Sequence, residues 1–247
     1  MSRPSRVAWT LWVLSLLLIL CGLGLTAYQY LRFPATRVYG YWLQSSAGFP
    51  VFATVSAMLL RRRRPDAICW VYLGTGLAGS VVMAAASYAH FAHYARPELP
   101  GGAAAAWLAS LTQLSFVYGL ILLMFLFPTG RLPSPRWRPV AWTAVASMLE
   151  DLLSTAVLPG PFESGVGGYA NPFAVERLAP FAESVAPVGD VCGFVGTLGA
   201  VAAVVVRFRR SRGEERQQLK MFAYAAVVGM SVLVAVSLGW GTGVVPE

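Results

Sequence analysis

An all-α, polytopic membrane fold follows from three features of this 247-residue sequence. It has seven apolar runs of bilayer length, only 12% charged residues, and arginines gathered at alternate junctions between the runs. Soluble domains carry roughly 25% charge, so a chain with 57% hydrophobic residues and a mean hydropathy of +0.60 has lipid as its natural solvent. A hydrocarbon core about 30 Å thick needs about 20 apolar residues per helix. Runs of that kind fall at 7–28, 41–60, 67–91, 104–127, 139–158, 186–206 and 221–240, and they predict one transmembrane domain over 1–247.

The first run, Val7 to Ala27, is too long for a signal-peptide core of about 7 to 15 residues, and no A-x-A site follows it. Cys21 lacks the small preceding residue that lipoprotein processing requires, so the segment stays as an anchor. The second run contains Pro50 and an amphipathic outer half, Tyr41 to Ser46, which predicts a kink. The third ends at His90 and His93, the only histidines. Two imidazoles at i and i+3 share a helix face and suit a metal, with Glu98 as a third ligand, or a response to external pH. Tyr88, Phe91 and Tyr94 around them equally describe an aromatic belt at the membrane surface.

The fifth run is the hardest to place, because Glu150 and Asp151 lie near its middle and each costs about 2.5 to 3.5 kcal/mol to insert. Were it not to span, the six cations of the segment from Arg207 to Lys220 would sit on the wrong face. Glu150, Asp151 and Asp190, the last near the outer end of the sixth run, are the ionisable groups predicted in the membrane or at its edge. Such acids serve sensing, proton or cation transfer. They serve equally well as hydrogen-bond acceptors between helices, with Gln113, Ser115 or Thr197 as donors. Gly189 and Gly193, spaced as GxxxG, with Gly196 and Gly199 beyond them, allow close approach of a neighbouring helix, in this chain or in a second copy of it.

Orientation follows from the cations, which accumulate in short cytoplasmic loops. With the N-terminus inside, fifteen cations lie on the cytoplasmic face and four, Arg32, Arg37, Arg96 and Arg177, on the other. The run Arg61 to Arg64 both stops translocation and suits anionic headgroups. The net charge of +8 does not point to nucleic acid, which needs a continuous basic face rather than short clusters between apolar runs. Cys21, Cys69 and Cys192 stand far apart in apolar stretches and read as small core residues, with no metal spacing among them. No cofactor is implied. From Glu214 the sequence reads as a helix continuous with the seventh span, with Arg210 to Glu214 and Arg212 to Glu215 in ion-pair reach if the turn persists.

Two segments resemble the membrane-embedded input region of actinobacterial sensor histidine kinases. One is Phe127-Pro128-Thr129-Gly130-Arg131 with the following Leu132 to Trp137. The other is Arg212-Gly213-Glu214-Glu215-Arg216-Gln217-Gln218-Leu219-Lys220 with the following Met221 to Tyr224, where Met221 replaces the family's usual Trp. Pro159-Gly160-Pro161-Phe162 and Asn171-Pro172-Phe173 are similar to the extracellular loop between them, so the likeness covers roughly 120 to 225. The resemblance implies signal detection in or near the bilayer, passed by helix movement to a cytoplasmic kinase or regulator. In that family phosphoacceptor and ATP-binding domains follow the membrane region. Here no histidine falls in a predicted cytoplasmic segment and no glycine-rich nucleotide motif appears, so no kinase activity is expected of these residues. A stand-alone homologue of the input module and a chain cut before its output half both fit. The alternative class is a small transporter or channel using Glu150 and Asp151 in a water-filled path; the lack of an internal repeat counts against it.

Overall fold

A computed structural model describes residues 3–62, 67–162 and 168–224, without the side chains of 3–5, 61, 62, 115 and 116. The described residues are helical throughout, apart from loops and one isolated bridge between Pro161 and Ala170. The helices are α1 Arg3–Arg32, α2 Trp42–Arg62, α3 Ala67–His90, α4 Gly102–Gln113, α5 Ser115–Leu126, α6 Arg138–Val157 and α7 Ala179–Arg210. Among the described residues six helical stretches are long and apolar enough to cross a membrane, with α4 and α5 together making one of them. By length and composition these stretches suit a multi-pass helical membrane protein. The seventh predicted span, 221–240, lies outside the described residues except for its start, where 213–224 form a further helical segment. Arg63 and Arg64 also lie outside them.

The outward surfaces explain the composition. Val191 and Phe194 of α7 are 63% and 66% exposed, as is Leu20 of α1 at 62%, and apolar side chains at helical spacing on the outside of a bundle match a lipid solvent. Cys21 and Cys192 belong to this outer zone, Cys21 exposed and Cys192 half-buried, whereas Cys69 alone is a core residue as expected of all three.

α2 contains Pro50, the expected kink position, within one element, and the fourth span is interrupted at Leu114 between α4 and α5. The third span does not end as an α-helix. A π-helical turn, Phe91–Ala95, closes it with the Arg96 amide donating to the Phe91 carbonyl at 3.0 Å.

Three clusters of buried residues set the ends of the bundle. Ala8, Leu60, Cys69 and Leu73 join the start of α1 to the end of α2 and the start of α3. Phe125, Ala144 and Ala203, with Leu132 and Trp137 against them, join the end of α5, the start of α6 and the end of α7. Tyr72 of α3 shares a cavity with Phe127 and Phe222, which puts both clusters, and the arginine-rich junctions beside them, at one end. A third cluster around Met83, Ala86 and Ala106 fills the other half.

Candidate functional site

The α6–α7 seam sets a row of glycines on α7 against a mixed row on α6 that includes one acid, Glu150. Glu150, Ser147, Ala144 and Val140 recur every three to four residues on α6 and meet Gly189, Gly193, Gly196 and Gly199 of α7. A methyl group at position 196 would lie 2.7 Å from the Ala144 Cα, and one at 193 would lie 2.6 Å from the Ser147 Oγ. Only glycine admits this approach. The glycine stripe is therefore occupied within the chain, and the Glu150 carboxyl rests on the α7 backbone at Gly189, its Cδ 2.7 Å from where a Cβ would stand.

Each of the paired acids has a hydroxyl donor. Ser154 donates to Glu150 Oε1 at 2.7 Å, one turn along α6. Asp151 faces α5 instead, accepting from the Tyr118 hydroxyl, which also lies 3.3 Å from the Ser147 Oγ. Of the donors expected from the sequence, Thr197 is exposed, Gln113 forms no side-chain hydrogen bond among the described residues, and the Ser115 side chain lies outside them. Asp190 stands apart from the other two, exposed on α7. Acids in an apolar stretch are tolerated here because neighbouring hydroxyls satisfy them.

At the arginine-rich end, α7 carries one cation inward. Arg207 is only 8% exposed, and its guanidinium donates to the backbone carbonyls of Phe127 and Arg131. Those carbonyls are presented by the end of α5, where Phe127–Pro128 is a cis peptide and Gly130 takes φ +74° to close the turn after Leu126. The second motif packs against the first. After α7 ends at Arg210, Gly213 at φ +58° redirects the chain into the 213–224 helical segment, whose Phe222 stacks on Phe127 with ring centres 4.7 Å apart and 17° between planes. Leu219 is fully buried, and the Arg216 guanidinium lies 4.9 Å from the centre of the Phe208 ring. The break at Ser211 to Gly213 also explains why neither Arg210–Glu214 nor Arg212–Glu215 pairs: the helical register that would align them does not persist. Phe127, Pro128, Thr129, Gly130 and Arg131 thus form one side of a joint, and Arg212, Gly213, Glu215, Arg216, Gln217, Gln218, Leu219 and Lys220 form the strand of sequence that returns across it. A cavity of about 570 Å³ lies between them, lined by Phe127, Glu214, Gln217, Gln218 and Phe222.

At the opposite end the two histidines do not share a face. His90 is buried, its Nδ1 donating to the Ala86 carbonyl at 3.0 Å and its ring 5.6 Å from Tyr39. His93 is exposed, packed edge-on to Tyr94 and Tyr169 at 4.6 and 5.0 Å. The π-helical turn beginning at Phe91 changes the rotation per residue, so i and i+3 no longer superpose. Glu98, the third ligand of the metal reading, pairs with Arg96 at 2.9 Å instead. Its own backbone amide, and then the Arg96 guanidinium, hold its carboxyl below the ordinary range. Burial pushes the Tyr39 phenol up to about 12, so beside His90 it stays neutral. Among the described residues no three His, Cys, Asp or Glu side chains gather as a metal requires.

The loop from α6 to α7 is tied down by Asn171. Its amide Nδ2 donates to the Thr155, Ala156 and Leu158 carbonyls at 3.3, 3.2 and 2.9 Å, capping the end of α6, while its Oδ1 accepts from the Phe173 amide at 2.9 Å. The Asn171 amide reaches the Gly160 carbonyl at 3.1 Å, so the two loop segments singled out in the sequence meet directly. Trp107 of α4 adds a 3.2 Å bond to the Ala156 carbonyl and packs on Phe173.

Sequence reasoning missed Arg207, Tyr118 and Asn171 as site residues. Arg207 was counted only as one cation among fifteen; its clue was its place closest to the apolar run. Tyr118, 33 positions from Asp151, offered no clue beyond a hydroxyl in an apolar helix. No protein-family model matches the chain, and no curated protein or solved structure is significantly similar to it.

Proposed function

We propose that the chain is a signal-input module of a bacterial plasma membrane, like the input region of actinobacterial sensor histidine kinases, without kinase activity of its own. In this reading seven helices span the bilayer, the N-terminus and the arginine-rich end are cytoplasmic, and 221–240 supply the last span. The single observation that carries it is the joint. Two segments about 85 residues apart, each resembling the same family, meet through the Phe127–Phe222 stack, and Arg207 of α7 bonds the Phe127 and Arg131 carbonyls beside it. α7 is 32 residues long, about 48 Å at 1.5 Å per residue, so a displacement at its acid seam reaches the joint through one rigid element. A cytoplasmic kinase or regulator is the partner that would read the movement.

Purification from native membranes in a gentle detergent tests this. An ATP-dependent autophosphorylating protein should co-elute with the parent and be reduced with Arg207→Gln; a chain that elutes alone contradicts the reading. The transporter alternative draws on Glu150 and Asp151 alone. It predicts proton or cation flux in reconstituted vesicles, abolished by Glu150→Gln with Asp151→Asn, whereas the input-module reading predicts no flux in the parent.

A further inference from the structure

The outer face of α7 is not uniformly apolar. Asp190, Thr197 and Val201 precede Phe208 by 18, 11 and 7 residues, close to five, three and two helical turns, so the four share one stripe. Asp190 and Thr197 are exposed on it, and Val201 is 46% exposed. Polar groups on a face turned to lipid are costly, and between transmembrane helices they serve as hydrogen-bonding contacts. At its arginine-rich end the stripe is already covered. The Arg216 guanidinium of the 213–224 helical segment lies 4.9 Å from the centre of the Phe208 ring. Leu219, three residues on, is fully buried, and Phe222 stacks on Phe127 at the end of α5 and shares a cavity with Tyr72 of α3.

We infer that the chain's own segment 225–240 continues this helix, opposite in direction to α7, and covers the α7 stripe with Ser237 donating to Asp190. Residues 225–240 lie outside the described residues, and the inference rests on the reading of 221–240 as the last span. No proline interrupts 213–240. Ser237 follows Leu219 by 18 residues, so a continuous helix returns it to the buried face of Leu219, about 27 Å further along. Asp190 lies the same five turns back from Phe208, which brings hydroxyl and carboxyl to one height. Ser231, the other serine of 225–240, falls about a third of a turn off that face. A second copy of the chain would have to displace a helix already seated at Phe208, which favours the chain's own segment as the occupant. Gly189 meets Glu150 of α6, and its neighbour Asp190, rotated about 100° from it, meets the last span. α7 thus stands between the α6 seam and the last span.

The test is oxidative cross-linking of the full chain in its membrane, with Cys21, Cys69 and Cys192 replaced. A disulfide forms only where two Cα atoms lie within about 7 Å. Asp190→Cys with Ser237→Cys should therefore link within one chain, so that the tryptic peptides 178–207 and 221–247 are recovered joined and separate on reduction. Val191→Cys with Ser237→Cys, and Asp190→Cys with Ser231→Cys, move one partner off the shared face and should give about fivefold less joined product. Equal yields from all three pairs overturn the inference. So does peptide 178–207 joined to a second copy of itself, which would seat another chain on the stripe. Gly243→Cys, treated on intact cells with a membrane-impermeant maleimide, separates the seat from the span. Labelling there without a 190–237 link leaves the span standing and overturns its place beside α7; labelling only after permeabilisation overturns both.

Discussion

In the N-terminal half of the bundle, neutral groups join the helices: Trp12 to Thr54 at 2.9 Å, Thr26 to Ser87 at 3.0 Å and Ser56 to the Cys69 carbonyl at 2.7 Å. In the C-terminal half charged or chargeable groups take part, with Tyr118 on Asp151 between α5 and α6, Arg207 on two carbonyls after α5, and Ser154 on Glu150 within α6. Close packing does not distinguish the halves, because Gly76 sits against Ala53 as tightly as Gly196 sits against Ala144. What differs is the penalty for separation. A neutral hydroxyl pair pulled apart in lipid finds other partners at small cost, while a guanidinium or carboxylate does not. On the proposed input-module reading, the first half is the scaffold and the second holds the contacts that would carry a signal.

Breaking the charged side should cost most. Arg207→Gln leaves the Phe127 and Arg131 carbonyls without their charged donor, and we expect a loss of about 1.5–3 kcal/mol in reversible unfolding from mixed micelles. Trypsin cleavage around Arg209 to Arg212 should accelerate with it; unchanged cleavage would detach the joint from Arg207. Gly196→Ala drives a methyl into the Ala144 backbone, for about 1–3 kcal/mol, whereas Gly24→Ala, with nothing within 4 Å, should be neutral or slightly stabilising. Equal effects at the two glycines would mean that the α6–α7 seam is not closely packed.

Smaller effects sharpen the comparison. A double-mutant cycle of Tyr118→Phe with Asp151→Asn should give a coupling of about 1 kcal/mol or more, against about 0.6 kcal/mol for Thr26→Ala with Ser87→Ala. Matching values would erase the distinction between the halves. Least of all should come from Glu98→Gln. The folded carboxyl titrates below its ordinary value of 4.5, so its contribution is present above that pH and lost as pH falls through the lowered value. The variant should fall slightly below the parent at neutral pH and match it in acid, as followed by the unfolding midpoint between neutral and acidic pH.

The spans were legible because they depend on local apolar length. The predicted 41–60 and 139–158 correspond to Trp42–Arg62 and Arg138–Val157, while 186–206 lengthens to Ala179–Arg210 because helices continue past the hydrocarbon where the sequence permits. The acids were legible as exceptions within an apolar run. Their partners were not, since Tyr118 and Asp151 meet only once α5 and α6 pack, and amphipathic spacing says nothing about that. Arg207 is the clearest case. Composition marks it as a cation at a junction, and only tertiary structure turns its side chain onto carbonyls about 80 positions away. The histidine pair failed for a local reason, the π-helical turn, which no feature of Phe91 to Ala95 announces.

Membrane sidedness of the joint bears on all of this most directly. In a background with Cys21, Cys69 and Cys192 replaced, single cysteines at the exposed positions Pro97, Thr129, Pro172 and Arg212 can be treated on intact cells with a membrane-impermeant maleimide. Labelling at 97 and 172, with 129 and 212 reacting only after permeabilisation, is the predicted result. Labelling of 129 or 212 from outside as readily as 97 would contradict it.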